Sequence, residues 1–275
     1  MKKICLLFLS LSLFSCSSDS ESSNSSSSQL VKMEQKSYYD NGDLEETIVH
    51  EYANQKPTKM SFYDENNNLS GYTDFQYNAN GVLNKIKDYS APGNLIQEST
   101  ISYDSQNRIS SIIKIYTASP GNPEILRFTY NPDNTITSSY DPAGSDQTKI
   151  FELNSNGIID KELVNGTVVT SVQYNNLKPL SKTSYSTTYT YSYNSTGSQP
   201  FPLQNVFGSY LPNSVLFNNS LDDGCDELTT ELISEISTSG ETQEFTYTLN
   251  SSGFPLTKTK KRNGTISDTY TYTYQ

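Results

Sequence analysis

Residues able to carry out catalysis are scarce in this sequence. The chain of 275 residues contains a single histidine, His50, and three cysteines. A Ser-His-Asp site would have to use His50, but this residue lies inside the strand-like run 48–52, and the sequence has no nucleophile-elbow motif. We therefore expect His50 to be an exposed strand residue, and we predict neither a catalytic residue nor a cofactor.

One acidic cluster, formed by Asp222, Asp223, Asp226 and Glu227, could bind a cation. Ca²⁺ prefers carboxylate oxygens, but these residues lack the alternate-position spacing of a calcium-binding loop. The same carboxylates could serve glycoside hydrolysis, which uses a pair whose separation is set by the fold. The cluster is therefore a weak calcium candidate. It also supports an alternative function, a carboxylate-dependent hydrolase of envelope or extracellular glycans.

The N-terminus predicts export. Two lysines precede an apolar run over residues 4–14, which is too short to span a bilayer. The run ends in the tetrapeptide Leu-Phe-Ser-Cys at 13–16, which resembles the lipobox of bacterial lipoproteins. The resemblance implies that residues 1–15 are a signal peptide and that Cys16 becomes the lipidated N-terminus of the mature protein. Because two or more acyl chains anchor stably, we predict attachment to a membrane through this lipid.

Residues 16–29 are predicted to be a tether, because serine dominates the run 17–29 and no apolar residue interrupts it. Asp19 and Glu21 resemble the acidic export signal that sends Bacteroidota lipoproteins to the outer face of the outer membrane. We therefore predict a surface-exposed protein of the outer membrane. A plain polar spacer has a similar composition, so an orientation toward the periplasm stays open.

A short refrain organises the rest of the chain. It consists of Tyr, then Asp or Asn, two variable residues, Gly or Asn, and an apolar residue, and it begins at Tyr77, Tyr103 and Tyr130. Asp or Asn at the first turn position can bond its own backbone, and Gly or Asn three residues later tolerates the left-handed conformation of a type I turn with a bulge. Tight-turn dipeptides such as Asn165-Gly166 alternate with these turns. The pattern predicts successive antiparallel hairpins.

We predict an all-β domain over residues 30–275, an antiparallel up-and-down meander of about 16 to 18 strands that is curled or closed into a barrel-like sheet. Tyr189, Tyr191 and Tyr193 alternate with Thr and Ser, and two later runs repeat this pattern. The aromatic face should point inward. The other face carries hydroxyl and charged side chains, which could not contact lipid, whereas a barrel surrounded by lipid needs an apolar outer band.

An irregular insert is predicted at about residues 194–241, where a Pro-rich apolar segment replaces the alternation. It could be a functional loop or a segment that closes the barrel. The aromatic residues that could bind a ligand there are Phe201, Phe207, Tyr210 and Phe217. The insert also contains Cys225, which has no disulfide partner in the mature chain and could be a buried small residue, a reactive thiol or an intermolecular partner.

With these residues in view, the refrain resembles the YD repeats of Rhs-type proteins, and Tyr63-Asp64 and Tyr103-Asp104 match that name literally. Asn often replaces Gly here, and the long uninterrupted arrays of those proteins are missing. Residues 30–275 more closely resemble an uncharacterised family of Bacteroidota outer-membrane lipoproteins that has the same hairpin refrain and a porin-like β-barrel fold. This resemblance implies location and fold, and it brings no catalytic residue.

The charge balance argues against a nucleic-acid partner. Acidic residues outnumber basic ones, 30 to 19, and the formal net charge is −11. A phosphate-binding surface needs a basic stripe, whereas the one basic cluster, at 258–262, lies beside a predicted turn. The sequence favours a lipid-anchored envelope protein that is not an enzyme, a binding or scaffold protein for a glycan or a peptide, and it leaves the oligomeric state open.

Overall fold

The computed structural model describes residues 29–141, 148–199 and 229–275. These residues form eighteen β-strands, and they include no helix long and apolar enough to cross a membrane. The strands are β1 (Leu30–Tyr38), β2 (Leu44–Ala53), β3 (Lys56–Asp64), β4 (Leu69–Tyr77), β5 (Leu83–Ser90), β6 (Asn94–Tyr103), β7 (Ile109–Tyr116), β8 (Glu124–Tyr130), β9 (Thr135–Asp141), β10 (Lys149–Leu153), β11 (Ile159–Val164), β12 (Thr167–Asn175), β13 (Lys178–Ser184), β14 (Thr187–Ser198), β15 (Glu231–Ser237), β16 (Thr242–Leu249), β17 (Pro255–Arg262) and β18 (Thr265–Tyr274).

The strands form a closed barrel. Each strand pairs antiparallel with the next one along the chain, and β18 pairs with β1. Beyond the pair Leu30 and Tyr274, the backbones of Gln29 and Gln275 exchange two hydrogen bonds of 3.0 Å. The predicted antiparallel meander is therefore confirmed, and its closure is complete. We call the end of the barrel where β1 begins and β18 ends the terminal end, and the opposite end the far end.

The two faces of the sheet differ in exposure. On β14, β16 and β18, exposed Thr and Ser residues alternate with aromatic residues that are buried or half-buried. Strand pairing keeps this buried face continuous around the barrel. The face includes a packed core, which consists of Leu83, Ile86, Ile101, Ile109, Ile112, Leu126, Phe128, Ile136, Phe151, Ile159 and Val172. The described chain forms a single layer, so the buried face is the inside of the barrel. The predicted inward aromatic face is confirmed.

The refrain turns have the predicted chemistry. In five of them the first Asp or Asn accepts backbone N–H bonds from the residues two and four positions later; these are Asp64, Asn78, Asp104, Asn154 and Asn250. The residue three positions later has a positive φ in each turn; these residues are Asn67, Gly81, Asn107, Gly157 and Gly253. Most L residues would be strained there, which explains why the refrain allows only Gly or Asn.

A β-bulge follows most turns at the terminal end, and at six places a tyrosine hydroxyl donates to a carbonyl beside such a register shift. The register of β4 and β5 shifts by one residue after Leu83, and the hydroxyl of Tyr103 donates to the Leu83 carbonyl at 2.5 Å. The hydroxyl of Tyr130 makes the same bond to Ile109 at 3.1 Å, beside the bulge of β6 and β7. Four further pairs repeat this arrangement, namely Tyr77 with Pro57, Tyr193 with Pro179, Tyr247 with Ile233, and Tyr274 with Pro255.

The hairpin of β8 and β9 shows that the bulge and the tyrosine belong together. Its register contains no bulge. The next strand that ends at the terminal end is β10, and it carries Leu153 at the position where β4, β6 and β8 carry a tyrosine. In this turn Asn131 donates to the hydroxyls of Thr135 and Thr137. At this hairpin, therefore, both the bulge and the tyrosine of the next strand are missing.

Replacing Tyr103 by Phe should lower the free energy of unfolding by about 1 to 2 kcal/mol, because the Leu83 carbonyl loses its phenol donor in a half-buried place. Burial raises the pKa of Tyr103 to about 12, so the hydroxyl remains a donor through the neutral range. Urea denaturation measures the change. Tyr63→Phe is the matched control, because the Tyr63 hydroxyl has no hydrogen-bond partner among the described residues. Equal denaturation midpoints for the two variants would contradict the role assigned to Tyr103.

Candidate functional site

Most site residues predicted from the sequence lie outside the described residues. They are Cys16, Asp19, Glu21, Phe201, Phe207, Tyr210, Phe217, Asp222, Asp223, Asp226 and Glu227, and Cys225 also lies there. The described parts of the predicted insert include strand, since residues 194–198 belong to β14 and residues 231–237 to β15. The strand ends that flank residues 200–228 lie at the terminal end. Within the described chain, the candidate site is the inner wall of the barrel.

The inner face of β14, β16 and β18 forms an aromatic surface, which we call the aromatic wall. Two of its rings, Phe245 and Tyr272, are buried, with 9% and 8% exposure. The other rings are half-buried, namely Tyr189, Tyr191, Tyr193, Tyr247, Tyr270 and Tyr274. Barrels of 16 to 18 strands enclose more space than side chains fill. The half-buried rings keep part of their surface exposed on the inner face.

Two lysines contact the faces of these rings. The Lys258 ammonium lies 4.4 Å from the ring centroid of Tyr270 and 5.0 Å from that of Phe245. The Lys182 ammonium lies 4.4 Å from the ring centroid of Tyr189. Burial raises the pKa of Tyr270, so its phenol is neutral and can donate a hydrogen bond at physiological pH. The aromatic wall thus combines apolar ring faces, hydroxyl groups and positive charges.

A buried ion pair lies on another part of the inner face, between β10 and β11. The Nζ of Lys149 is 2.8 Å from Oε1 of Glu162, whose side chain is only 3% exposed. The inner face around it includes the buried hydroxyls of Ser138, Thr170 and Ser184. A buried carboxylate is tolerated when it is paired and hydrogen-bonded, and this one is. The pair joins opposite charges, so it is not the pair of carboxyl groups that glycoside hydrolysis requires. The sequence alone does not indicate this pair, because it depends on the register between β10 and β11, which places both side chains on the inner face.

His50 lies on the inner face of β2, and the expectation of an exposed histidine was wrong. The register that pairs β2 with β3 turns this side chain into the barrel, where it is half-buried. Burial lowers the pKa of His50 to about 4, so the imidazole is neutral at pH 7. Its ring is stacked near that of Tyr52, with the centroids 6.5 Å apart. Among the described residues, no group of three His, Cys, Asp or Glu side chains could hold a metal ion.

Comparisons with known proteins give distant structural similarity. No family model matches the chain, and no curated protein matches it. A porin-like protein from Bacteroides uniformis is 18% identical, with a TM-score of 0.40, over 90% of this chain and 98% of that one. A porin-like protein from Bacteroides vulgatus is 12% identical, with a TM-score of 0.31, over 90% of this chain and 99% of that one. The structure of TcdB2-TccC3-TEV is 11% identical, with a TM-score of 0.35, over 82% of this chain but 12% of that one. The fold assignment rests on the closed strand pairing itself.

The single histidine should give the protein a measurable pH dependence of stability. The pKa of His50 is about 4 in the folded chain against 6.5 in its ordinary environment, so below pH 6.5 the unfolded chain takes up a proton that the folded chain does not. The free energy of unfolding should therefore fall by on the order of 2 to 3 kcal/mol between pH 6.5 and pH 4 through this group. Denaturation of the wild type and His50→Gln across that range isolates the contribution, because all other groups are shared. Parallel pH profiles would show that His50 is not desolvated.

Proposed function

We propose that this protein is a binding protein of the cell envelope without enzymatic activity, held at the outer membrane by a lipid on Cys16 and binding a glycan on its aromatic wall. The observation that carries the proposal is the set of half-buried rings on the inner face of a closed barrel. Aromatic faces are suited to stack on the apolar faces of sugar rings, and the nearby phenols and ammonium groups can bond to hydroxyl groups.

The chemistry of the outer face supports a barrel surrounded by water. Exposed Thr and Ser residues cover the outer face of β14, β16 and β18. On β5 and β6, Glu98 forms outer-face ion pairs with Lys85 at 2.6 Å and with Lys87 at 3.4 Å. A barrel that meets lipid needs a continuous apolar outer band, and the exposed apolar residues here, such as Ile96 and Ile115, are interrupted by these polar positions.

The closed sheet favours a glycan over an extended peptide. Peptides are often bound by adding a strand to a free sheet edge. In the described strands every edge is paired, including β1 with β18, so that mode of recognition is blocked. Ring stacking needs no free sheet edge, and the half-buried rings of the aromatic wall keep part of their surface exposed.

Replacing Cys16 by Ala should release the protein from the membrane fraction, because the proposed acyl chains would have no attachment point. Fractionation of cells that express each variant measures the change. A variant with Asp19 and Glu21 both replaced by Ala is the control, since it keeps the anchor and should remain with the membrane while losing accessibility to added protease. Unchanged membrane association of Cys16→Ala would contradict the lipid anchor.

The glycan site is tested by titrating the purified protein with a panel of oligosaccharides and following heat of binding. Tyr247→Ala and Tyr270→Ala should each weaken binding about 3- to 10-fold, since each removes one stacking ring. Tyr247→Ala also removes the hydroxyl that donates to the Ile233 carbonyl, so thermal unfolding checks that this variant is folded. Tyr72→Ala is the matched control, because Tyr72 lies on the outer face, stacked on Tyr89 with centroids 4.6 Å apart. If Tyr72→Ala abolishes binding and Tyr247→Ala does not, the binding site lies on the outer face. Binding of peptides in place of glycans would overturn the assigned ligand class.

A further inference from the structure

The first three strands bring together two methionines and the single histidine of the sequence, whose thioether and imidazole groups are potential metal ligands. The whole sequence contains three methionines and one histidine, and the first methionine lies in the predicted signal peptide. The register of β1 and β2 pairs Met33 directly with His50, and that of β2 and β3 pairs His50 with Met60. Directly paired residues share one face of a sheet, and their Cβ atoms lie roughly 5 Å apart. His50 is therefore flanked by the two other methionines, on the inner face of the barrel.

We propose that Met33, His50 and Met60 form a binding site for a soft monovalent cation, Cu(I), with Ag(I) as its closest chemical substitute. Two thioethers and one imidazole are ligands that select Cu(I), whereas carboxylates and carbonyl groups suit harder ions. The site lies on β1 to β3 and shares no residue with the proposed glycan site, although Met33 is paired with Tyr272 of the aromatic wall.

The imidazole is available to a metal. A metal-bound histidine must be neutral, and burial keeps the pKa of His50 well below physiological pH. Among the described residues, its side chain has no hydrogen-bond or ion-pair partner, and its one ring contact is with Tyr52. The imidazole nitrogens are therefore not committed to another described side chain.

The surroundings of the three side chains favour the reduced ion. Met33 and Met60 are half-buried, and Met33 is also paired with Tyr272, a buried ring of the aromatic wall. The adjacent positions on the same inner face carry Ile48 and Phe62, which are paired with each other. The same face also carries two polar side chains, Gln35, paired with Ile48, and Thr73, paired with Met60. Ile48, Phe62 and Tyr272 still limit the approach of water, and flexible thioether side chains can adjust to a low coordination number.

Methionine in a barrel interior could also serve packing alone, because it fills irregular gaps in cores. Packing makes a different prediction from metal binding. Substituting leucine for methionine conserves volume and usually has little effect on a core, whereas it removes a thioether ligand completely. Leucine substitutions therefore separate the two roles without disturbing the fold.

The test is an anaerobic titration with Cu(I) of the purified mature protein, without the predicted signal peptide and with Cys16 acylated. The background substitution Cys225→Ser removes the remaining thiol ligand. Methionine labelled with ¹³C in its methyl group reports directly, because the mature chain contributes two signals, from Met33 and Met60. We expect one equivalent of Cu(I) or Ag(I) to shift both signals. We expect no such shift with Zn(II), for which thioethers are poor ligands.

Affinity is measured by competition with a chromophoric Cu(I) chelator. Met33→Leu, Met60→Leu and His50→Gln should each weaken binding by at least about 10-fold, while thermal unfolding confirms that the leucine variants are folded. Phe62→Leu is the matched control, since it changes the neighbouring position on the same face and removes no ligand. Methyl signals that do not move with Cu(I), or an affinity that is the same in the leucine variants and in Phe62→Leu, would overturn the proposal.

Discussion

The hydrogen bond from a tyrosine hydroxyl to the carbonyl beside a bulge is the interaction on which this barrel depends. A bulge after a hairpin turn supplies the extra twist that a closing sheet needs, but it leaves a gap in the backbone ladder. At six places in the described chain a phenol from the neighbouring strand bonds there, as Tyr103 does at Leu83. The refrain therefore encodes a turn, which a bulge follows in most hairpins of the terminal end, and a tyrosine that bonds beside the bulge of the preceding hairpin.

This arrangement explains why aromatic residues gather at the terminal end of the barrel. The tyrosine ring covers the inner face while its hydroxyl reaches the next strand, so one residue contributes both apolar burial and polar satisfaction. Tyr77, Tyr103 and Tyr130 pack against the core, which adjoins the same end. Charged residues on the inner face, such as Lys149 and Glu162, are instead paired with each other. The inner wall is thus divided between a region stabilised by burial and a region stabilised by pairing.

Much of the fold follows from local patterns in the sequence. Turn chemistry at residues such as Asn78 and Asp104 fixes where strands end, and the alternation around Tyr189 to Tyr193 identifies the buried face. The strand number then makes curling or closure unavoidable. The candidate sites are different, because they depend on which residues of separate strands become neighbours. The alternation predicted that Tyr247 and Tyr270 point inward, but the contacts of Lys258 with the rings beside it require the register of three strands.

His50 shows most clearly why register could not be predicted. Counting outward from the pair Tyr38 and Leu44 without a bulge would place Met33 opposite Val49. The same count from Ala53 and Lys56 would place His50 opposite Lys59. A one-residue slip moves a side chain to the other face of the sheet, so either missing bulge would separate the histidine from a methionine. The two bulges that help the sheet to close also place the only histidine between two methionines. The physical features that shape the barrel and those that could give it a ligand are therefore the same.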